Sequence, residues 1–211
     1  MSKYYPIFLK IQDKKCVVVG GGNIAWRKVN SLKDAKAKVT VVSPEFCPEL
    51  EKEPEIELIR QKYDEKYLEG ACLVVASTDN EDVNKQVYYD AVERGLLVNV
   101  VDRPEFCTFI VPASVTRGDF TISISTGGAS PAFARNIRER LEKQFGNEYE
   151  EFTSLLSEMR QKVLSEIKDE SARRAILQRI ADTDMLEMIR KNGFQETKRE
   201  MLEIISKTFL Q

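Results

Sequence analysis

The chain has 211 residues, 42% apolar and 31% charged, a balance that suits a globular protein with a buried core and room for one large domain or two small ones. Its 32 basic and 34 acidic residues leave a net charge of −2 without the segregated basic patch that nucleic acid demands, so no nucleic-acid partner is expected. Apolar runs such as Cys16–Val19 fall far short of the ~20 residues that span a bilayer, and the charged first 15 residues do not resemble a signal peptide, so the expectation is a cytoplasmic protein off the membrane.

The first hundred residues alternate two patterns. Cys16–Val19, Val39–Val42, Ile56–Ile59, Cys72–Ala76 and Leu97–Val101 are short runs rich in Val, Ile and Leu, as in strands of a parallel sheet buried on both faces. Helices are predicted between them at Asn23–Asp34, more weakly at Pro48–Lys52, at Asp64–Leu68 and at Asn80–Arg94. The last has Asn80 as its N-cap and Gly95 just past its end. This alternation predicts an α/β fold with a doubly wound parallel sheet.

Further on, Phe120, Ile122 and Ile124 alternate with Thr121, Ser123 and Ser125, which predicts a half-buried strand. Phe109–Thr116 and the turn Arg117–Gly118–Asp119 precede it, so a hairpin is expected. A helix should follow to about Phe145, with Ser130 as N-cap and Pro131 at its first position. Such a small strand–helix unit is too little to fold alone and is expected to join a second copy of the chain. All seven prolines lie at or before Pro131, and after Gly146 the only glycine is Gly193. Residues 147–211 should therefore be all-α, with breaks near Asp169–Glu170, Asp182–Asp184 and Asn192–Gly193. The expected domains are 1–111, a central segment 112–146, and a helical domain 147–211.

Chemistry-bearing residues are few. The four cysteines form no Cys-x-x-Cys pair and there is no histidine, so no metal site of the usual Cys/His type is expected. Proton chemistry must fall to carboxylates, Lys, Tyr or Cys. Gly20-Gly21-Gly22-Asn23-Ile24-Ala25 reads as Gly-x-Gly-x-x-Ala between the first strand and the first helix. Gly20 permits the tight turn, Gly22 the approach of a pyrophosphate, and Ala25 close helix–sheet packing. The pyrophosphate would sit on the N–H groups near Asn23 and Ile24. The acid that usually binds the ribose is replaced by Ser43, followed by Pro44 and then Glu45, with no Arg or Lys in this turn to favour a 2′-phosphate. NAD is expected over NADP.

Two further positions stand at element ends. Asp102 follows the fifth strand, where an open α/β sheet places its ligand crevice, and is either a turn former ahead of Pro104 or a proton acceptor. Ser125, Thr126 and Gly127 lead into a helix N-terminus suited to a carboxylate, with Arg117, Arg135 and Arg138 nearby; ordinary capping and a surface Arg138–Glu142 pair are the plainer alternatives.

Three segments together resemble the siroheme synthase family, in its precorrin-2 dehydrogenase module. They are Pro6–Phe8 with Val17–Lys28 (VVVGGGNIAWRK), Asn99–Ala113 (NVVDRPEFCTFIVPA) and Ile122–Arg135 (ISISTGGASPAFAR). Val75–Asn84 and Ala172–Asp182 agree more weakly. The resemblance implies an N-terminal Rossmann domain, a central dimerisation segment and a helical C-terminal domain. It implies NAD-dependent dehydrogenation of precorrin-2, a tetrapyrrole bearing eight carboxylates, to sirohydrochlorin by a homodimer. Asp102 matches the family's catalytic acid, and Ser77 and Thr78, in the Val75–Asn84 segment, join the cofactor-binding set. No methyltransferase module is expected to follow. Some family members also insert Fe2+ using this acid, so a bifunctional dehydrogenase–ferrochelatase is one alternative. A non-catalytic tetrapyrrole or NAD sensor is another.

Overall fold

The computed structural model describes residues 4–208. The chain forms two compact units, divided between Val111 and Pro112. The first holds a five-stranded parallel sheet, and its strands are β1 (Lys15–Val19), β2 (Lys38–Val42), β3 (Ile56–Ile59), β4 (Ala71–Ala76) and β5 (Leu97–Val100). Their order, β3-β2-β1-β4-β5, is that of a doubly wound sheet, the fold expected from the alternating pattern.

β1 lies at the centre and shows why a continuous apolar run was required. Successive side chains point to opposite faces. Cys16 and Val18 pack on Ala25, Val29 and Leu32 of α1 (Asn23–Asp34). Val17 and Val19 pack on Val87 and Ala91 of α3 (Glu81–Glu93). A polar residue on either face would sit in a core. Asn80 caps α3 by accepting the N–H groups of Asp82 and Val83, and Gly95, at φ +66°, ends the segment as predicted. Cys16 and Cys72 lie in neighbouring strands with their sulfurs 3.8 Å apart as free thiols; burial, with Cys72 beside it, pushes the Cys16 pKa up to about 12.

Two predicted helices are shorter than expected. Pro48–Lys52 is a single turn, α2 (Pro48–Glu51). Asp64–Leu68 is a 3₁₀ turn, Glu65–Leu68, capped by the Asp64 side chain, which accepts the Lys66 N–H, and cut short by Gly70 at φ +70°.

The second unit opens with the hairpin of β6 (Ala113–Arg117) and β7 (Phe120–Ile124), antiparallel with Arg117 opposite Phe120. Gly118, at φ +54°, supplies the positive φ of its two-residue turn. The first strand starts later than Phe109, since Pro112 has no N–H to give to a ladder. α4 (Pro131–Gln144) follows, with the Ser130 hydroxyl accepting the Phe133 N–H and Pro131 at the first helical position. Four more helices follow among the described residues: α5 (Glu148–Glu166), α6 (Glu170–Ile180), α7 (Thr183–Asn192) and α8 (Phe194–Thr208). Leu155, Met159 and Val163 on α5 are buried against Ile176, Ile180, Met185, Ile189, Met201 and Ile205, so Met185 and Met201 are core residues. No helix among the described residues is long and apolar enough to cross a membrane.

Leu155 is fully buried at the centre of the helical core, so Leu155→Ala leaves a cavity; urea unfolding should show a loss of about 2–5 kcal/mol.

Candidate functional site

A crevice of about 1200 Å³ opens at the carboxyl ends of the strands, lined by Gly20–Ile24, Ser43–Cys47 and Ser77–Asn80. All ten residues predicted to hold the cofactor line it: Gly20, Gly21, Gly22, Asn23, Ile24, Ser43, Pro44, Glu45, Ser77 and Thr78. The three glycines differ in what they tolerate. Gly20 has φ +127°, and a Cβ there would stand 2.7 Å from the Ser77 carbonyl oxygen. Gly21, a variable place in the motif, is the tightest: a Cβ would lie 1.8 Å from the Glu45 carbonyl oxygen and 2.8 Å from Ser43 Oγ. A Cβ on Gly22 would meet nothing within 4 Å and would project into open space, where a bound phosphate group needs the room.

Gly22 is also the N-cap of α1. It offers no side-chain cap and the first turn holds no acid, so the helix presents bare N–H groups and its positive dipole end to the crevice. These residues fit a dinucleotide pyrophosphate. Opposite, Ser77 N donates to Val19 O at 2.8 Å, and the Thr78 hydroxyl lies 2.8 Å from Asn84 Oδ1. Buried Asn84 also donates to Thr78 O at 2.9 Å, so one side chain locks this loop.

Sequence reasoning missed Lys62, Tyr63, Val83 and Gln86, which also line the crevice. Lys62 and Tyr63 follow the end of β3 by three and four residues, and their place just beyond a strand's carboxyl end was the available signal. The Tyr63 hydroxyl donates to buried Asp90 at 2.8 Å, and burial together with that carboxylate pushes its pKa well up, so it stays a protonated phenol.

Asp102 is exposed and does not line the crevice. It sits at φ +60° in a tight turn closed by Arg103 N to Val100 O at 3.2 Å. Left-handed backbone at a residue with a side chain costs on the order of 1 kcal/mol or more, and persists only where its surroundings impose it. The turn borders a second cavity of about 200 Å³, lined by Val100, Val101 and Arg103 and also by Thr78 and Asp79 of the crevice wall. The electrostatic neighbours of Lys28 of α1 include Asp102 and Cys107. Burial, more than any other influence, holds Lys28 below its usual range; Arg27 adds to this, and Asp102 and Cys107 oppose it.

The predicted substrate residues all lie in the second unit. Ser125 Oγ accepts the Gly127 N–H at 3.1 Å and Thr126 Oγ1 accepts the Ser130 N–H at 3.0 Å, so both hydroxyls shape their own loop. Gly127 and Gly128 have φ +61° and +89°, and a Cβ on either would meet open space. Arg117 departs from the expected free carboxylate fork. Its guanidinium donates to Thr116 O at 2.9 Å and to Glu142 O at 3.2 Å near the end of α4, where unpaired helix carbonyls attract a cation. Its Nε is buried without a partner. Arg135 is exposed beside Glu139 at 3.1 Å, and Arg138 pairs with Glu142 and Glu139, the surface arrangement of a helix face. Among the described residues no cluster of three or more His, Cys, Asp or Glu could hold a metal.

The sheet order, the glycine turn and the uncapped helix define a Rossmann-type dinucleotide-binding domain. In agreement, residues 7–113 match a family model described as putative NAD(P)-binding, and residues 117–144 match one described as sirohaem biosynthesis protein central. The chain is 38% identical over 203 residues to the siroheme synthase of Thioalkalivibrio sulfidiphilus, covering 95% of this chain and 41% of that protein. It is 38% identical over 204 residues to that of Methylobacillus flagellatus, covering 95% and 44%. A solved structure, SirC, precorrin-2 dehydrogenase, superposes with a TM-score of 0.77 at 27% identity over 97% of this chain and 100% of that one. Through residues 7–113 the chain belongs to the family described as putative NAD(P)-binding, and over nearly its whole length it is similar to siroheme synthases. It spans less than half the length of the siroheme synthases it matches.

Two predictions follow from the geometry of the first unit. Gly22→Ala should leave the melting temperature nearly unchanged while weakening NAD binding about tenfold or more, whereas Gly21→Ala should cost about 1–3 kcal/mol of stability; calorimetry with titration of NAD separates them. Lys28 binds protons less readily when folded than at its ordinary 10.5, so its burial costs stability fully at neutral pH, and the cost fades as pH rises toward 10.5. Lys28→Met should therefore raise the melting temperature at pH 7, with a gain that shrinks near pH 10.5; a constant difference across that range would contradict this origin.

Proposed function

We propose that this chain is a precorrin-2 dehydrogenase, oxidising precorrin-2 to sirohydrochlorin with NAD on the route to siroheme. The observation that carries this reading is the correspondence of the chain, over nearly its whole length, to SirC, together with a glycine turn shaped for a pyrophosphate. In the overall reaction precorrin-2 loses a hydride and a proton, giving sirohydrochlorin, NADH and H+. NAD supplies the hydride acceptor. The chain's own task is to hold, orient and deprotonate.

Asn23 and Ile24 N–H groups would hold the pyrophosphate, with Gly22 leaving it room. Ser43 and Glu45 would take the ribose hydroxyls, and the absence of a cation in the Ser43–Glu45 turn favours NAD over NADP. The Asp102 carboxylate would accept the proton as the hydride leaves; in a chain without histidine, an exposed carboxylate held in an imposed left-handed turn suits that role. The Ser125–Thr126–Gly127 turn, with its open glycine backbone, would receive substrate carboxylates, and exposed Arg135 would add positive charge. Arg117, committed to α4, would position that helix instead.

Two coarser features extend the reading. A two-stranded hairpin is marginal alone, and among the described residues β6 and β7 leave their outer edges without strand partners. A second copy completing that sheet would make a homodimer. Four free cysteines, two of them with sulfurs 3.8 Å apart, suit the reducing cytoplasm.

The test is anaerobic turnover of enzymatically generated precorrin-2 with NAD or NADP, following NADH and sirohydrochlorin together. Wild type should produce both in step, and Asp102→Asn should lower kcat by about 10²–10⁴-fold while still binding NAD. Wild-type protein that binds NAD and precorrin-2 without producing either signal would leave a sensor. Adding Fe2+ to sirohydrochlorin tests the ferrochelatase arm, with siroheme formation above the uncatalysed rate and lost in Asp102→Asn as its signature.

A further inference from the structure

β5 is the last strand of its sheet, and its outer edge carries the backbone N–H and C=O groups of Val98 and Val100. Among the described residues no strand pairs with them. Thr108 covers the first position, its N–H donating to Val98 O at 2.9 Å and its hydroxyl accepting the Val98 N–H at 2.9 Å. Cys107 covers the second. Its sulfur accepts the Val100 N–H at 3.3 Å and lies 3.2 Å from Val100 O, and the Asn99 side chain donates to it at 3.5 Å. The same sulfur lies 3.2 Å from Arg103 O.

Val100 and Arg103 are the two ends of the turn that holds Asp102 at φ +60°. The geometry points to Cys107 as a positioning residue whose thiol spans both ends of the Asp102 turn and keeps that carboxylate in its left-handed place. The chemistry of the group fits the task. A thiol both accepts and donates weak hydrogen bonds, and its large sulfur reaches several backbone groups at once. Burial raises the Cys107 pKa, so it keeps the proton it needs to donate to Val100 O or Arg103 O. A carbon of similar size would fill the space but leave the outer N–H of Val100 unpaired. Alanine would also remove the bridge across the turn. Cys107 touches backbone and the Asn99 amide, not reacting atoms, and its effect must pass through Asp102.

This inference rests on the role proposed for Asp102, and the test separates the two. Cys107→Ala, Cys107→Ser and Asp102→Asn are assayed with precorrin-2 and NAD, singly and as Cys107→Ala with Asp102→Asn. Expected is a fall in kcat of about tenfold or more for Cys107→Ala with KM for NAD unchanged, and substantial recovery in Cys107→Ser, whose hydroxyl keeps both a donor and an acceptor. Adding Cys107→Ala to Asp102→Asn should bring little further loss, because the brace acts through the carboxylate already removed. A merely structural loss at the sheet edge would instead lower activity equally in both backgrounds. Hydrogen exchange at the Arg103 amide, which closes the turn, reads the brace without turnover and should accelerate in Cys107→Ala. An active wild type with unchanged kcat in Cys107→Ala, or equal losses in the two backgrounds, overturns the inference. An inactive wild type defeats the dehydrogenase reading; unchanged Arg103 protection in Cys107→Ala would then defeat the brace as well, and faster exchange would support it.

Discussion

The backbone of the loop after β2 rests directly on Gly21, and much of the first unit depends on that contact. Cys47 N donates to Gly21 O at 2.7 Å, and Gly20 N donates to Val42 O at 2.9 Å, so the turn leaving β1 is tied to the chain leaving β2. No side chain fits between Gly21 and Glu45. The consequence is a rigid turn that delivers α1 with its first N–H groups uncapped and facing a crevice. A side-chain cap at this helix end would satisfy the same donors and leave less for an anion to bind. The fold thus withholds an ordinary stabilising interaction at the place where a ligand can supply it.

At the sheet edge the solution is different. An unpaired edge strand exposes backbone groups that invite wrong partners, and here the next loop covers them mainly with side chains. Thr108 and Cys107 bond Val98 and Val100, and Asn99 holds Phe109 O at 3.0 Å. Side-chain closure needs less regular backbone than another strand would. It leaves the Val100–Arg103 turn free to bend sharply and carry an acid in a conformation that Asp tolerates better than most residues. Edge protection and the display of Asp102 are therefore one construction.

The second unit sets a buried apolar core apart from a polar loop. The helices α5–α8 enclose an aliphatic and methionine core, whereas the loop Ser125–Ser130 is polar, glycine-rich and held by its own hydroxyls. Phe120, Phe145 and Tyr149 pack with ring centroids 4.9–5.5 Å apart and join the hairpin, the end of α4 and the start of α5. That aromatic cluster gives a small hairpin more apolar contact than its five-residue strands supply, since a two-stranded sheet buries little by itself.

The sequence by itself determined the elements and the fold class, because side-chain direction repeats every two residues in strands and every 3.6 in helices, and burial imposes that period on the apolar residues. The run Cys16–Val19 read as a strand buried on both faces, and the glycine turn between it and Asn23 already pointed to a dinucleotide. The ends of short elements were less legible, as at Asp64–Leu68, which closes as a 3₁₀ turn ended by Gly70. Contacts between distant positions belong to the tertiary structure. Gly21 read as a variable place until Glu45 folded over it, Arg117 as a free cation until Glu142 O came within reach, and Lys62 reaches the crevice only through the placing of β3. The bridge from Cys107 to both ends of the Asp102 turn has no local signature either. Periodicity records which way a side chain points along its own element, and only packing decides what stands opposite.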